Sequence, residues 1–312
     1  MDDIRRKARE FFINEGFLPF TNSSYPLLQK YNHCSLLQES NITMFVTWQD
    51  TYLGLYKIIN DFLCSVFFLE GRDIYWTIHS PQEKTSHPLQ PIIDSLCALC
   101  KKAELPFLQV KNIDKDLVAG YKAVQGHSLH TTYSADNSEY AYALKDLLSL
   151  SGSINYYKRK RINKFISKQD ISIRPITNSN AWQCTEIEKE WCKDRDCSYC
   201  SSFYGCEKKV LEVMLDIYDD KVHRGLFLYN GEKPEGYIIC ERISKKLSFL
   251  YFGKSNAEGG LVYLIYIMYR DYIKDTEYMN LNEDMGHEGL RKFKRLLSPY
   301  ELWHKYTVTY EL

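Results

Sequence analysis

Apolar and polar positions follow helical and strand periods in turn along the first half of the chain. An amphipathic helix is predicted at the amino terminus, because Ile4, Ala8 and Phe12 recur at helical spacing. Alternating runs bounded by turn residues then predict a three-stranded meander, followed by helix, strand, short helix and strand. The predicted strands are 52–58, 62–69, 73–79, 107–110 and 127–133, and the predicted helices are 89–102 and 115–122.

The second half of the chain repeats this order of elements. After a strand at 171–176 and helices at 178–193 and 204–219, a second meander leads into helix, strand, helix and strand. The later segments are strands 222–229, 236–241, 247–252, 278–281 and 302–309, with helices 259–273 and 287–297. This order resembles that of GNAT-type acyltransferases. We therefore predict an α/β (α+β) fold of two tandem GNAT-like units, each a mixed, mostly antiparallel sheet flanked by helices.

The repeat also predicts where the domains begin and end. Residues 1–33 are expected to form the amino-terminal helix and a linker, and residues 34–140 the first GNAT-like unit. A connecting helical segment, 141–170, leads to the second unit at 171–312. We expect this second unit to carry the functional site.

The composition is that of an ordinary globular protein. Hydrophobic residues make up 45% and charged residues 26% of the 312 positions, which excludes a collagen-like or largely disordered chain. Forty basic and forty acidic residues cancel, so an anion-binding site must be local and cannot come from a bulk positive charge. The 25 tyrosines supply large side chains with hydroxyls that reach water, as suits amphipathic surfaces or clefts.

Three features bear on the cellular compartment. The charged start of the chain, residues 2–7, does not have the form of an export signal. The longest apolar stretch, 261–269, has about half the ~20 residues that a membrane-spanning helix needs. Ten cysteines without a secretory signal indicate a reducing environment. We therefore expect a cytoplasmic protein.

A cationic helix is predicted at 155–166. Its cations are Lys158, Arg159, Lys160, Arg161 and Lys164. On a helical wheel, Lys158 and Arg161 lie within the apolar stripe, which favours their pointing into a cleft that binds an anion. Lys160 and Lys164 are expected to point outward. The alternative is that the buried cations snorkel at a helix end or pair with an internal carboxylate.

A glycine-rich segment precedes the predicted helix at 259–273. It reads Gly253-Lys254-Ser255-Asn256-Ala257-Glu258-Gly259-Gly260. Backbone N–H groups at a helix start, with glycines that allow close approach and Lys254 beside them, favour a phosphate cradle. The corresponding loop of the first half, 80–89, has no glycine. If either half binds a donor, we therefore expect it to be the second.

Polar residues are concentrated where the predicted strand 278–281 ends and the next helix begins. The candidate site residues there are Asn280, Glu283, Asp284, Arg291 and Lys294. A carboxylate at this strand end, Glu283 or Asp284, is expected to hold and deprotonate an acceptor amine. Two structural explanations stay open, namely that Asp284 is an N-cap and that Glu283 pairs with Arg291.

The sequence gives little support to a metal site or to hydrolase chemistry. Four closely spaced thiols allow a zinc knuckle, although free thiols are preferred because the spacing matches no recognised zinc module. They are Cys192, Cys197, Cys200 and Cys206. The sequence contains no His-Glu-x-x-His and no Gly-x-Ser-x-Gly. Metalloprotease and serine-hydrolase activities are therefore unsupported, and no metal site is predicted.

Two segments resemble signatures of a bacterial family related to the C-terminal domain of phosphatidylglycerol lysyltransferases. Lys158-Arg159 and Ile162-Asn163-Lys164-Phe165 resemble the family's Lys-Arg-Asn-His-Ile-Asn-Lys-Phe. Asn280, Glu283-Asp284, Gly286 and Glu288-Gly289-Leu290-Arg291-Lys292 with Lys294 resemble its Asn-Arg-Glu-Glu-Asp-x-Gly-x-Glu-Gly-Leu-Arg-Lys-x-Lys. This chain departs from the signatures at Lys160-Arg161 and Leu281-Asn282. Weaker similarity extends the resemblance to residues 35–312.

The resemblance implies a tandem GNAT fold and transfer of an acyl or aminoacyl group to an amine or hydroxyl. The donor it implies is aminoacyl-tRNA or acyl-coenzyme A, and both carry phosphate and an activated carbonyl. The side chains expected to bind phosphate are Lys158, Arg159, Lys254 and Arg291, with Arg161, Asn163, Asn280 and Lys294 as further binding residues. We expect the candidate cations to converge on one hollow near the splayed middle of the second sheet.

Two other interpretations stay open at this point. The same cations would suit a non-catalytic module that binds RNA, a nucleotide or another anionic ligand. The basic, Phe-rich residues 4–20 would suit contact with a membrane surface, which is the less favoured interpretation.

Overall fold

A computed structural model of the chain describes residues 2–32, 35–80, 89–167, 170–193 and 207–312. The chain divides into two units. The first unit comprises residues 1–135 and 304–312, and the second comprises residues 136–303. In the described ranges, each unit is built on one seven-stranded sheet flanked by helices, which confirms the predicted α/β class.

The first unit contains the predicted meander, helix, strand, helix and strand. Its strands are β1 (Leu18–Pro19), β2 (Leu55–Ile59), β3 (Phe62–Phe67), β4 (Tyr75–His79), β5 (Phe107–Ile113), β6 (Leu129–Tyr133) and β14 (Tyr306–Glu311). Its α-helices are α1 (Asp3–Asn14), α2 (Tyr25–Leu28), α3 (Ile42–Thr47), α4 (Gln49–Tyr52), α5 (Gln90–Lys102) and α6 (Val118–Lys122). The strand order is β1-β2-β3-β4-β5-β14-β6, and the pairing is antiparallel except between β4 and β5.

The amino-terminal helix is part of the core of this unit. Asp2 caps α1 by accepting the N–H of Arg5, and the helix buries Ala8 and Phe12. The ring of Phe12 meets the ring of Trp76 on β4 edge to face, with centroids 5.2 Å apart. Burial of one such aromatic side chain contributes roughly 1.5–3 kcal/mol. The amphipathic pattern at the amino terminus therefore reflects a helix packed on a sheet.

The second unit repeats this arrangement around a longer meander. Its strands are β7 (Glu139–Ala143), β8 (Ile171–Pro175), β9 (His223–Asn230), β10 (Lys233–Arg242), β11 (Leu247–Ser255), β12 (Tyr278–Asn280) and β13 (Glu301–Trp303). Its α-helices are α7 (Leu144–Leu147), α8 (Tyr156–Ile166), α9 (Gln183–Lys193), α10 (Glu207–Asp216), α11 (Gly260–Ile267) and α12 (Glu288–Leu296). The strand order is β13-β7-β12-β11-β10-β9-β8, and only β11 and β12 pair in parallel among these strands.

Two strands have sheet partners that the sequence does not predict. The single strand predicted at 302–309 is instead β13 in the second sheet and β14 in the first, where β14 pairs with β5 and β6. β7, which is absent from the predicted elements, pairs with β12 and β13. A period-two pattern shows which side chains share a face but not which strand lies alongside. The units therefore differ from the predicted boundaries, because the second unit is inserted into the first.

The longest apolar run of the sequence is buried in the second unit. Residues 261–269 lie in α11 and in the π-helical turn that follows it. Val262, Leu264 and Ile265 belong to a core cluster that also contains residues of β9, β10 and β11. The hydrophobicity of this run therefore serves packing against the sheet. Across the described ranges, no helix combines the length and the apolar character that crossing a bilayer requires.

Candidate functional site

The loop between β11 and α11 forms a glycine-lined helix start. Gly259 has a φ of 84°, in the left-handed region that favours glycine, and α11 begins directly after it. A Cβ at Gly260 would lie 2.8 Å from Leu228 of β9, so glycine allows the close approach of helix and strand. First-turn N–H groups at such a helix start bind phosphate or carboxylate oxygens. The backbone expected of a phosphate cradle is therefore in place, and its ligand stays a prediction.

Three cations of α8 lie near this helix start. The stem of Arg161 packs against Gly259, since a Cβ at Gly259 would lie 3.1 Å from the Arg161 Cβ. Lys164 Nζ lies 3.1 Å from Glu258 Oε2. The hydrogen bond from Lys164 and the charges of Arg161 and Lys160 lower the pKa of Glu258. We name these cations, together with residues 258–260, the helix-start site, and its net positive charge suits an anion.

Burial on one side of α8 decides which cations face water. Ile162 and Phe165 are buried, whereas Lys160 is exposed and the side chain of Lys164 is 46% exposed. The predicted outward orientation of both lysines is confirmed. Arg161 is half-buried, and its Nη1 makes one long hydrogen bond of 3.4 Å to its own helix.

Lys158 is buried and holds the end of a neighbouring helix. It is 2% exposed, and its Nζ donates to the carbonyls of Asp146 and Leu147 at 2.9 and 2.7 Å. These carbonyls lie at the C-terminal end of α7, where a cation is favoured. Desolvation lowers the pKa of Lys158 to about 8, although the charge of Asp146 opposes this shift. The predicted orientation of Lys158 into a ligand cleft is therefore wrong, because helix carbonyls surround its ammonium.

Arg159 and Asn163 have different surroundings on the same helix. Arg159 Nη1 donates to the carbonyls of Leu150 and Gly152 at 2.5 and 3.1 Å. Its guanidinium also lies 5.9 Å from the ring centre of Tyr156. Asn163 is exposed. A role in ligand binding for either residue stays a prediction.

A dense hydrogen-bond network lies where β12 ends. Asp284 is 2% exposed, and its carboxylate accepts Nε and Nη2 of Arg291 at 2.7 and 3.0 Å. The Tyr140 hydroxyl and the Gly286 N–H donate to the same carboxylate at 2.7 and 2.9 Å. The hydrogen bond from Arg291 holds the pKa of Asp284 well below its usual 3.8, although desolvation opposes it. Asp284 is therefore an anion that positions Arg291. Four hydrogen bonds make this carboxylate a weaker base than Glu283 is proposed to be, and a role of Asp284 as a base stays a prediction.

The N-cap prediction for Asp284 is wrong. The N-cap position of α12 is occupied by His287, and Asp284 lies three residues before it. The guanidinium of Arg291 binds Asp284, and the alternative pairing of Glu283 with Arg291 stays a prediction. The two adjacent carboxylates therefore have different surroundings.

Lys294 fixes the path of the chain at this strand end. It is 3% exposed, and its Nζ donates to the carbonyls of Leu281, Asn282 and Glu283 at 2.6, 2.9 and 2.5 Å. Three acceptors use the three protons of an ammonium group. Lys294 therefore positions Glu283, and its role in donor binding stays a prediction.

Asn280 connects this network to a buried carboxyl group that the sequence patterns do not identify. Asn280 and Glu139 are both 0% exposed, and Nδ2 of Asn280 donates to Glu139 Oε2 at 2.5 Å. Oδ1 of Asn280 accepts the N–H of Asn282 at 2.7 Å. Glu283 is 8% exposed. The name strand-end cluster is used below for Glu139, Tyr140, Asn280, Glu283, Asp284, Arg291 and Lys294.

The strand-end cluster lies where β12 stops pairing with β11. Their parallel pairing ends where Phe249 lies opposite Asn280, while β11 continues to Ser255. A register shift against β10 makes Tyr251 the extra residue of a β-bulge, a feature that bends strands near functional sites. Glu283 lies three residues beyond the end of β12, and the expected splayed middle of the second sheet stays a prediction.

A second cluster with a buried carboxyl group lies on α9. Glu188 is 1% exposed and accepts the hydroxyl of Tyr237 on β10 at 2.8 Å. Desolvation raises the pKa of Glu188, and the charge of Lys254 opposes this shift. Lys254 Nζ lies 2.7 Å from Glu207 Oε2 and 4.2 Å from the ring centre of Trp191. We name these five residues the α9 cluster.

Lys254 faces the opposite side of the sheet from α11. The preceding residue, Gly253, faces α11, because a Cβ there would lie 2.7 Å from Leu261. Consecutive strand residues point to opposite faces, so Lys254 points toward α9. The expected convergence of the candidate cations on one hollow is therefore wrong for Lys254. It is also wrong for Lys158 and Lys294, whose ammonium groups are bound to backbone carbonyls.

The sequence contains only weak indications of two buried acids, Glu188 and Glu139. Glu188 lies on helical spacing with the buried Cys184, and a lone acid on the buried side of a helix is unusual. Glu139 precedes an alternation of Tyr140 and Tyr142, which is typical of a strand. Each signal is a single residue, and its partners are distant in sequence.

No group of side chains suited to a metal ion is present among the described residues. Cys192 is half-buried near the end of α9. The other candidate zinc ligands, Cys197, Cys200 and Cys206, lie outside the described ranges. The zinc hypothesis therefore stays a prediction.

One protein family and several solved structures are similar to this chain. Residues 35–309 match a family model described as phosphatidylglycerol lysyltransferase, C-terminal. Among proteins with curated descriptions, none matches this sequence.

Several solved structures share the fold. A conserved protein of unknown function from Bacteroides thetaiotaomicron has a TM-score of 0.83 and 21% identity, covering 95% of this chain and 99% of that one. L-PGS from Bacillus licheniformis has a TM-score of 0.62 and 14% identity, covering 93% and 90%. FemX has a TM-score of 0.61 and 10% identity, covering 95% and 97%. The fold is that of two tandem GNAT-like units, as predicted.

Proposed function

This chain belongs to the family of the C-terminal domain of phosphatidylglycerol lysyltransferases, and we propose that it transfers an aminoacyl group from aminoacyl-tRNA to an amine or hydroxyl acceptor. The observation that carries the proposal is the family match over 35–309, which includes the helix-start site and the strand-end cluster. The family name describes transfer of a lysyl group. Acyl-coenzyme A, the other expected donor, is an outcome of the test below.

The helix-start site supports a donor that carries phosphate. A guanidinium makes two parallel hydrogen bonds to one phosphate, and Arg161 lies against the loop from which α11 begins. First-turn N–H groups and the helix dipole add to the attraction. The existing bond of the Arg161 guanidinium, 3.4 Å long, is weak, so a phosphate oxygen displaces it at little cost.

Arg291 supplies a second anchoring point in this proposal. Its side chain is 32% exposed, and the carboxylate of Asp284 holds it in place. Tyr140 and the Gly286 N–H hold that carboxylate in turn. An exposed cation with a fixed orientation suits an anionic or carbonyl oxygen of the donor.

Glu283 is the proposed base. In the reaction the acceptor nitrogen or oxygen attacks the ester carbonyl carbon, its proton passes to Glu283, and the ribose oxygen of tRNA leaves as a hydroxyl with that proton. The carbonyl of Glu283 is bound by the buried Lys294, so its side chain starts from a fixed backbone position. Glu283 lies three residues after β12, the strand that pairs in parallel with β11. A positioned base contributes on the order of 10²–10⁴ to the rate.

A transfer assay with Glu283→Gln tests this proposal. The protein is incubated with bulk tRNA charged with radiolabelled amino acids, together with a cell extract freed of tRNA. Label is then measured in the small-amine, lipid and protein fractions. We expect wild type to move label, and Glu283→Gln to reduce the rate by on the order of 10²–10⁴ while retaining tRNA. Glu288→Gln is the matched control, because the Glu288 side chain is 80% exposed, and it should keep wild-type activity.

Three outcomes would overturn parts of the proposal. Transfer that depends on acyl-coenzyme A instead of charged tRNA would identify a different donor. Retention of tRNA without transfer of label would favour a non-catalytic RNA-binding module. Full activity of Glu283→Gln would remove the assigned base and leave the transfer reaction in place.

A further inference from the structure

One side of α8 is exposed, aromatic and basic. At about 100° per residue, five neighbours share this side: Tyr156, Tyr157, Lys160, Asn163 and Lys164. Tyr156 is 50% and Tyr157 is 64% exposed, and their ring centroids are 5.2 Å apart. We name this side the α8 outer face. Two exposed rings lie beside Lys160 and Lys164, so this face extends the cationic surface of the helix-start site along α8.

The charges of α8 oppose the dipole of the helix itself. Residues 158–161 are all cations, and the first turn has no acidic residue. The positive end of a helix dipole lies at the N-terminus and favours anions, so cations there repel it. Backbone carbonyls compensate Lys158 and Arg159. The cations of α8 that are available to phosphate are Lys160, Arg161 and Lys164. The charge pattern of α8 therefore fits a polyanion better than a bare solvated helix.

We propose that the α8 outer face binds the unpaired 3′ end of the tRNA donor. This inference rests on the proposed function and assigns the RNA contact within it. Tyrosine rings provide stacking platforms for bases, and lysines neutralise the phosphates between them. The rings of Tyr156 and Tyr157 receive bases, and Lys160 and Lys164 receive phosphates. Asn163 lies between the lysines and offers hydrogen bonds to base edges.

The dimensions of the face agree with this assignment. From Tyr157 to Lys164 the helix rises about 10 Å, and stacked bases lie about 3.4 Å apart. The face therefore accommodates about three nucleotides. Lys164 contacts Glu258 at its far end, which places that end beside the helix-start site. The esterified terminal nucleotide is thereby directed toward α11.

The surroundings of α8 favour RNA over a lipid surface. Interfacial helices bury an apolar side among acyl chains. The apolar side of α8 is already buried, because Ile162 and Phe165 belong to the core of the second unit. The outer face presents tyrosines, an amide and lysines. Ile154 and Ile166, 78% and 56% exposed, lie at its two ends.

Fluorescence anisotropy of labelled tRNA, charged and uncharged, between about 50 and 200 mM salt tests the inference. Tyr157→Ala should weaken binding at least about fivefold, the equivalent of one lost base stack. Lys160→Ala should reduce the slope of log affinity against log salt by about 0.7. Tyr133→Ala and Lys7→Ala are matched controls, since both side chains are exposed in the first unit, and they should bind like wild type. Circular dichroism verifies that each variant is folded.

The outcomes separate this inference from the proposed function. If wild type binds tRNA and both α8 variants bind equally well, the inference is overturned and the proposed function stands. If the variants lose tRNA binding but wild type transfers no label, the inference stands and the proposed function fails. If the variants instead lose binding to phosphatidylglycerol vesicles while tRNA binding is unchanged, the face contacts lipid and the inference is overturned. Wild type that does not bind tRNA overturns both.

Discussion

The strand-end cluster and the α9 cluster both bury carboxyl groups, but they surround them differently. Asp284 accepts hydrogen bonds from Arg291, from Tyr140 and from the backbone, and the bond from Arg291 holds its pKa low. Glu188 accepts the hydroxyl of Tyr237, and desolvation raises its pKa. The two acids are almost equally buried. Hydrogen bonds from a cation and other donors dominate at Asp284, whereas desolvation dominates at Glu188, so equal exposure leaves the two pKa values shifted in opposite directions.

The cations of the two clusters differ in the same way. Lys294 is enclosed by three backbone carbonyls, whereas Lys254 lies between a ring and a carboxylate that is 38% exposed. Desolvation lowers the pKa of Lys254, but the charges of Glu207 and Glu188 and the hydrogen bond to Glu207 together outweigh it, and the pKa is raised. The strand-end cluster is thus a fixed frame around Glu283. The α9 cluster is an ion pair with access to water.

The largest effect is expected from Lys294→Met. The change leaves three carbonyls without their donor, and each unsatisfied buried group costs about 1–3 kcal/mol, so the free energy of unfolding should fall by about 3 kcal/mol or more. Lys254→Met should lower it by about 1 kcal/mol or less, because methionine keeps the contact with the Trp191 ring and Glu207 turns to water. Urea denaturation of both variants measures the contrast. Equal losses of unfolding free energy in the two variants would contradict the difference between the surroundings of Lys294 and Lys254.

A smaller, pH-dependent effect is expected from Asp284→Asn. The variant loses charged hydrogen bonds to Arg291, which should cost about 2 kcal/mol at pH 7. The folded pKa of Asp284 lies below the unfolded value of 3.8, so this stabilisation is present above that value and is lost as pH falls through the folded pKa. Unfolding by urea from about pH 7 down to pH 3 should therefore show the variant approaching wild type. A gap that stays constant with pH would contradict the assignment of Asp284 as an anion.

The smallest effect, with the opposite dependence on pH, is expected from Glu188→Gln. The folded pKa of Glu188 is raised above 4.5, so wild type is stabilised by its proton at low pH and loses this stabilisation as pH rises through the folded pKa. The variant should equal wild type near pH 4 and exceed it by about 1 kcal/mol at pH 8. The same urea series measures this trend. If the difference between Glu188→Gln and wild type were the same at pH 4 and pH 8, the raised pKa of Glu188 would be contradicted.

Sequence patterns predict most elements of the fold because hydrophobic periodicity acts locally. The pattern of α8 also predicts which of its lysines face water. Hydrophobic periodicity does not reveal that Lys158 and Lys294 bind backbone carbonyls. Every residue has a backbone carbonyl, so the sequence does not indicate which carbonyl a buried lysine will bind. The sequence likewise identifies Glu283 and Asp284 as candidate bases but does not distinguish between them. Their separate roles depend on which of them Arg291 reaches, and this is decided by the turn that Lys294 holds.

The insertion of the second unit has a consequence for how the protein is synthesised. β14 lies between β5 and β6, so two edges of the first sheet have no partner until residues 306–311 arrive. These residues leave the ribosome after the whole second unit, which therefore has time to fold first. Pairing across about 200 residues also has a high loop-closure entropy and is slow. The nascent first unit consequently displays exposed strand edges throughout translation of its insert, and this is the stage at which a chaperone would protect it from aggregation.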